Sequence, residues 1–108
     1  MANDEIYTQI TAAFEAGESV ALATVAQTLG STPRKAGAKM VIRADGSFAG
    51  TIGGGCGEAE VWQEASEVLQ DGRARVVSVD LTEPTDGTDK ICGGVMRVFV
   101  ERLSPHDA

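Results

Sequence analysis

Apolar positions recur along this chain at two different periods. Ile6, Ile10, Ala13 and Phe14 keep helical spacing, with Asn3 or Asp4 available as a cap and Gly17 as a terminator. Val20 to Leu29 is a nearly unbroken apolar run, which predicts a strand covered on both faces at its start. Gly30 to Gly37 is loop by composition, and Pro33 pushes Thr32 out of helical geometry. Ala38 to Ala44 reads as a strand with Met40 and Ile42 on one face. Asp45-Gly46 signals a hairpin, so Ser47 to Ile52 should return antiparallel beside it.

The helical period then reappears. Val61, Trp62, Ala65, Val68 and Leu69 mark one buried helical face, in a helix running from Gly57 to about Gly72. Arg75 to Leu81 alternates: Val77, Val79 and Leu81 face one way, and Val76, Ser78 and Asp80 the other. Thr82 to Lys90 is polar and reads as a loop. Val95 to Leu103 closes the chain as a strand, with Met96, Val98 and Val100 on one face. The fold class is therefore α+β: about five strands in a mostly antiparallel or mixed sheet, with two helices packed on one face of it.

Composition narrows the function. A chain of 108 residues suggests a single domain with a modest core. A net charge of −7 argues against a broad nucleic-acid or anionic-membrane surface. No apolar run is long enough to span a bilayer, and Met-Ala-Asn-Asp-Glu lacks the parts of a signal peptide. A cytoplasmic location follows as the expectation, where thiols stay reduced. The two cysteines do not make a disulfide framework and do not form a Cys-x-x-Cys pair.

The chemistry gathers at Gly50-Thr51-Ile52-Gly53-Gly54-Gly55-Cys56-Gly57-Glu58, where five of nine residues are glycine. The stretch joins a strand to a helix. At such a junction the unpaired N–H groups of the first helical turn and the helix dipole favour anions. They also stabilise a thiolate, lowering a cysteine from its ordinary value near ~8.5. The dinucleotide fingerprint fails, because Glu58 stands where a third small residue is needed, and no Gly-Lys-Ser/Thr follows to make a P-loop. A glycine-rich turn that merely lets helix and strand pack closely fits the same residues.

Two more features bear on the site. Arg34, Lys35 and Lys39 place three of nine basic residues within six positions, beside the hydroxyls of Ser31 and Thr32. In an acidic protein this is either a local anion site or a solvated basic loop. Cys92, like Cys56, is followed by glycine, here Gly93 and Gly94. Were the two loops to converge, they would bring two thiols and many N–H donors beside Arg34, a setting for a large anionic ligand or a thiophilic metal. Two cysteines are too few for structural zinc, and no Ser-His-Asp set is evident. Glu83, Asp86 and Asp89 lack calcium-loop spacing and read as a solvated loop, and His106 lies in a short tail.

Taken in order, Gly30-Ser31-Thr32-Pro33-Arg34, Gly37-Ala38-Lys39-Met40, the glycine-rich stretch to Glu58, and Cys92-Gly93-Gly94 resemble the N-terminal domain of the xanthine dehydrogenase accessory factor family (XdhC/CoxI). The resemblance covers nearly the whole chain. It implies a chaperone that binds molybdenum cofactor transiently and passes it to xanthine dehydrogenase or a related molybdenum hydroxylase, without itself oxidising xanthine. A cofactor sulfurase and a second copy of the chain are further expected partners. The family's motif positions fall on Ser31, Pro33, Arg34, Gly53, Gly54, Gly55, Cys56, Glu58, Cys92 and Gly93. Family members usually continue into a Rossmann-like domain, whereas this chain stops at Ala108.

The expected mechanism follows. The helix start at Gly54 to Gly57, with Arg34 and Lys39, would hold the phosphate or the oxo-molybdenum end. Cys56 would contact the metal or protect its sulfur ligand. Glu58 would cap N–H groups or orient the pterin, and Cys92 would stand on the opposite wall. Two other classes compete: a thiol redox enzyme with Cys56 as nucleophile and Cys92 as resolving partner, and a ligand-free module docking on a dehydrogenase through the hairpin edge.

Overall fold

The computed structural model describes residues 4–30, 36–50, 52, 58–80 and 94–105. The elements are α1 (Asp4–Glu15), β1 (Val20–Gly30), β2 (Lys39–Arg43), β3 (Phe48–Gly50), α2 (Glu58–Asp71), β4 (Arg75–Asp80) and β5 (Gly94–Leu103). The strands form one sheet in the order β3-β2-β1-β5-β4, and every neighbouring pair is antiparallel. This is the α+β arrangement that the hydrophobic pattern predicts.

Local chemistry sets the element ends. Gly17 has φ 75°; its N–H bonds to the Phe14 carbonyl at 3.0 Å and that of Glu18 to Ala13 at 2.9 Å, closing α1 in a Schellman motif. At the β2–β3 hairpin the Gly46 N–H donates to the Arg43 carbonyl and the Arg43 N–H to the Ser47 carbonyl, at 2.9 and 2.8 Å. Gly46 has φ 91°, so Ala44, Asp45 and Gly46 form a three-residue loop ending in a left-handed residue. At the far end of α2, Gly72 takes φ 72° and lies against the Arg102 guanidinium, which donates to the Leu69 carbonyl at 3.4 Å.

The two helices lie on opposite faces of the sheet, which corrects the expectation that both share one. On one face Ala21, Ala23, Val25, Met40, Ile42, Val79, Met96, Val98 and Val100 pack under Val61, Ala65 and Val68 of α2. On the other, Val20, Leu22, Val41 and Ala49 pack against Ile6 and Ala13 of α1. The reason lies in β1 itself. Its first residues are apolar at both parities, and successive side chains of a strand point to opposite faces. One layer of helices would have left Val20 and Leu22 in water, at about 1.5–3 kcal/mol for each large side chain.

Helix α1 covers β2 and β3, so the β4 side of its face stays open. Val76 and Leu29 are exposed there. A register shift between Val25 and Gln27 bends β1 past the end of β2, and beyond it β1 pairs with β5. Arg75, at the start of β4, ties that strand to α2 through Glu64 at 3.3 Å, Glu67 at 3.6 Å and Asp71. No helix among the described residues is long and apolar enough to cross a membrane.

Candidate functional site

The glycine-rich stretch leaves the sheet at Gly50. Gly50 has φ 81°, and a Cβ on it would collide with the Ile6 side chain and the Lys39 carbonyl oxygen. Only glycine permits that exit under α1. Ile52 is fully buried in the core beneath α2. Glu58, the first residue of α2, turns back and accepts the Ile52 N–H on its carboxylate at 3.3 Å. The residues flanking positions 53–57 are therefore held together by a charge-assisted hydrogen bond. Glu58 and Glu60 also set two carboxylates in the first turn of α2, where they offset the positive end of the helix dipole.

Beside this junction a cleft of about 420 Å³ opens between the start of α2 and the β2–β3 hairpin. Met40, Gly46, Phe48, Glu58, Ala59 and Trp62 line it. Phe48 is 57% exposed and Trp62 38% exposed. Trp62 is fixed in place, because its indole N–H donates to the Gly46 carbonyl oxygen at 3.1 Å. A Cβ at Gly46 would meet the ring at 3.5 Å, an ordinary contact, so the φ of 91° and not the space calls for glycine there. Trp62 therefore departs from the sequence expectation of a buried position: it sits at the rim of the α2 apolar face, while Val61, Ala65 and Val68 fill the core.

A second hollow of about 550 Å³ lies on the other side of Trp62. Arg43 stands in it with its guanidinium on Glu18 at 3.1 Å and Gln9 at 3.4 Å, so its charge is already paired.

Of the site residues expected from the sequence, Lys39 and Glu58 are described. They do not converge. Lys39 shares its face of β2 with Val41, on the α1 side, and its Nζ donates to Thr24 Oγ1 at 3.4 Å. Glu58 lies on the α2 side with Met40. Ser31, Pro33, Arg34, Lys35, Gly53, Gly54, Gly55, Cys56, Gly57, Cys92 and Gly93 lie outside the described residues, as do Glu83, Asp86, Asp89 and His106. Among the described residues no three His, Cys, Asp or Glu side chains gather as a metal site.

Phe48 and the rim position of Trp62 are not evident from the hydrophobic pattern. A signal exists for both. Phe48 closely follows the hairpin turn on a short strand, and Trp62 is the single tryptophan, one turn into the helix that returns over that hairpin.

Comparison with known proteins places this geometry. The chain matches the model of the XdhC and CoxI family over residues 13–80, more than half its length. It is 38% identical over 98 residues to the uncharacterized protein YqeB of Escherichia coli, covering 88% of this chain and 18% of that protein. It is 33% identical to a probable xanthine dehydrogenase subunit of Bacillus subtilis, covering 91% of this chain and 31% of that one. It is also 33% identical to the molybdenum cofactor insertion chaperone PaoD of Escherichia coli, covering 84% and 29%. The crystal structure of a xanthine dehydrogenase from Bacillus halodurans superposes with a TM-score of 0.80 at 28% identity, over 96% of this chain and 31% of that one. The chain thus spans less than a third of the length of each of these relatives. The family match over residues 13–80 and these relatives agree: the chain belongs to the XdhC and CoxI family.

Proposed function

We propose that this chain is an accessory protein of molybdenum-enzyme maturation, which binds molybdenum cofactor and passes it to a hydroxylase of the xanthine dehydrogenase class. The observation that carries the reading is the clamped junction at the start of α2, where the Ile52 N–H meets the Glu58 carboxylate beside an open cleft. Family membership supports it, as do the two relatives named for a xanthine dehydrogenase and for cofactor insertion.

The described residues suit one part of such a ligand. An organic ring system fits a cleft walled by Met40, Phe48 and Trp62, and a carboxylate at its edge suits hydrogen-bond donors. The remaining roles fall on residues known here by sequence. Backbone N–H groups of Gly53, Gly54, Gly55 and Gly57, with Arg34, would hold the phosphate, Cys56 would take the molybdenum or its sulfur ligand, and Cys92 and Gly93 would complete the site. Lys39, on the far face, adds charge to the basic stretch and makes no contact with the cleft wall. Once in the target enzyme the cofactor supplies the redox chemistry, so this chain needs only to bind, shield and release it. A cofactor sulfurase upstream and a second copy completing the site belong to the same reading.

The test is purification of the chain from cells that make the cofactor, with molybdenum and pterin measured on the protein. Near-stoichiometric amounts of both are expected, with molybdenum lost in Cys56→Ala. Wild type and Cys56→Ala loading alike would remove Cys56 from the mechanism; a wild type free of both would end the reading. Retained binding to a dehydrogenase after removal of both Cys56 and Arg34, with no cofactor on either protein, would instead establish a docking module.

A further inference from the structure

We propose that β4, the end strand of the sheet, pairs antiparallel with β4 of a second copy of the chain, joining the two sheets into one about a two-fold axis near Val77. The inference is independent of the cofactor reading. β4 stands at one end of the strand order, and β3 with its cleft stands at the other.

The edges of this sheet are not alike. β3 is three residues long and ends at Gly50, where the chain leaves the sheet with φ 81°. The part of β1 that runs past β2 is bent by the register shift between Val25 and Gln27. Short edges and bulges of this kind discourage pairing with another chain. β4 has neither device. Its six residues, Arg-Val-Val-Ser-Val-Asp, keep an unbroken register with β5 from Arg75 to Asp80, and proline, glycine and lysine are absent from them. Among the described residues, β4 has a strand neighbour on the β5 side alone. The backbone N–H and C=O groups along the other side form a template for a further strand.

What the strand carries selects a copy of itself. Charge runs from basic to acidic along it, with Arg73 and Arg75 at its start and Asp80 at its end. Antiparallel pairing with β4 of a second copy sets each basic end beside an acidic one, whereas parallel pairing would set like beside like. A two-fold axis normal to the sheet keeps every residue on its own face and makes the contact isologous, so it closes at two copies. With the axis at Val77, that half-buried residue of the α2 face meets its own copy. On the other face Val76, 59% exposed, meets the exposed Ser78 of the second copy. Pairs of this kind across strands are the unit that stabilises a sheet. Arg75 is already tied to Glu64, Glu67 and Asp71, so it acts on the second copy through its field and not through a new ion pair. The net charge of −7 on each copy opposes association, and at physiological salt that repulsion is screened beyond roughly 8 Å. Two short strands make a small interface, so the expected dissociation constant is on the order of 10–100 µM.

Sedimentation of the full chain from about 1 µM to about 1 mM reads the assembly, and amide shifts of the 15N-labelled chain over the same range locate it. The mass is expected to rise from one chain to two and to stop there, as a closed contact requires. Concentration-dependent shifts are expected at Val76, Val77 and Ser78, with Phe48 and the Trp62 indole unmoved at the opposite edge. Ser78→Lys sets a charged side chain at an exposed position in the middle of the edge and is expected to weaken the dimer by about tenfold or more. The location of the wild-type shifts does not depend on that variant folding. A wild type that stays monomeric at about 1 mM overturns the proposal and leaves the edge to some other chain. A dimer whose shifts fall on another surface overturns it as well, as does a folded Ser78→Lys that associates like the wild type. Each of these results leaves the cofactor reading standing, because the molybdenum and pterin carried by the protein are measured separately.

Discussion

The Glu58 carboxylate reaches back six residues to take the backbone N–H of Ile52, so a side chain on the first turn of α2 fixes the chain just as it leaves the sheet. The bond is long, at 3.3 Å, but its acceptor is charged and the contact is partly buried. Glu58→Ala strands the Ile52 N–H in the core beneath α2 and is expected to cost about 1–3 kcal/mol. Glu58→Gln keeps an acceptor oxygen and is expected to cost less than half of that. Urea unfolding of the two variants checks the order; equal losses would mean that the bond contributes nothing beyond the charge at the helix end.

The second relationship is between Gly50 and Ile6. Gly50 combines a positive φ with contacts that cannot retreat: the buried Ile6 side chain on one side and the Lys39 backbone oxygen, 2.5 Å from where a Cβ would stand, on the other. Gly50→Ala is expected to destabilise the fold by about 2–4 kcal/mol, adding left-handed strain to overpacking. Gly37, at φ 97°, meets nothing within 4 Å of its missing Cβ, so Gly37→Ala is expected to cost only about 1–2 kcal/mol of strain. At Gly72 the obstruction is the far end of Arg102, which can swing away. Thermal unfolding should rank Gly50→Ala as clearly the most damaging of the three.

Much of this fold is legible in the sequence because its signals are local. Gly17, Gly46 and Gly72 each close an element where turn chemistry places them, and the alternation in β4 and β5 matches the buried Val79, Met96, Val98 and Val100. What the pattern does not carry is which elements meet. Nothing local to α1 or α2 says that they take opposite faces; that follows from β1 being apolar at both parities and lying at the centre of the sheet. Trp62 shows the same limit from the other side. Its spacing matches that of Val61, Ala65 and Val68, but it falls at the margin of the stripe, where the indole bonds Gly46 across the cleft. The glycine-rich stretch stands out by composition, whereas the cleft beside it depends on a hairpin and a helix meeting in space.

Asp45 makes the hairpin sensitive to acid. Its carboxylate accepts both the Ser47 hydroxyl, at 2.6 Å, and the Ser47 N–H, at 2.8 Å. The Ser47 hydroxyl bond, then the backbone bond, holds its pKa below the ordinary value of 3.8. A carboxylate depressed in the folded state stabilises the fold above its unfolded pKa and loses that contribution as pH falls through the folded one. The Ser47 N–H to Asp45 bond should therefore persist at neutral pH and weaken below about pH 4. Amide exchange or chemical shift at Ser47 across that range checks it, and Asp45→Asn should flatten the dependence. A Ser47 signal that follows the same acid transition in Asp45→Asn would assign the change to another group.

The last prediction separates the two basic residues that share one stretch of sequence. Arg34 and Lys39 are five positions apart and read together as one anion site, but Lys39 points to the α1 face and hydrogen-bonds Thr24, away from Glu58 and the cleft. If the phosphate of the cofactor is held at the start of α2, the arginine carries that contact and the lysine contributes through its field alone, screened over roughly 8 Å at physiological salt. Arg34→Ala is therefore expected to reduce molybdenum and pterin on the purified protein by about tenfold or more, and Lys39→Ala by less than about threefold. The loss in Lys39→Ala should shrink further as salt is raised, while that in Arg34→Ala should persist, since a direct contact from the arginine to the phosphate would be short-ranged. Equal, salt-sensitive losses in the two variants would show a diffuse basic surface in place of a built phosphate site.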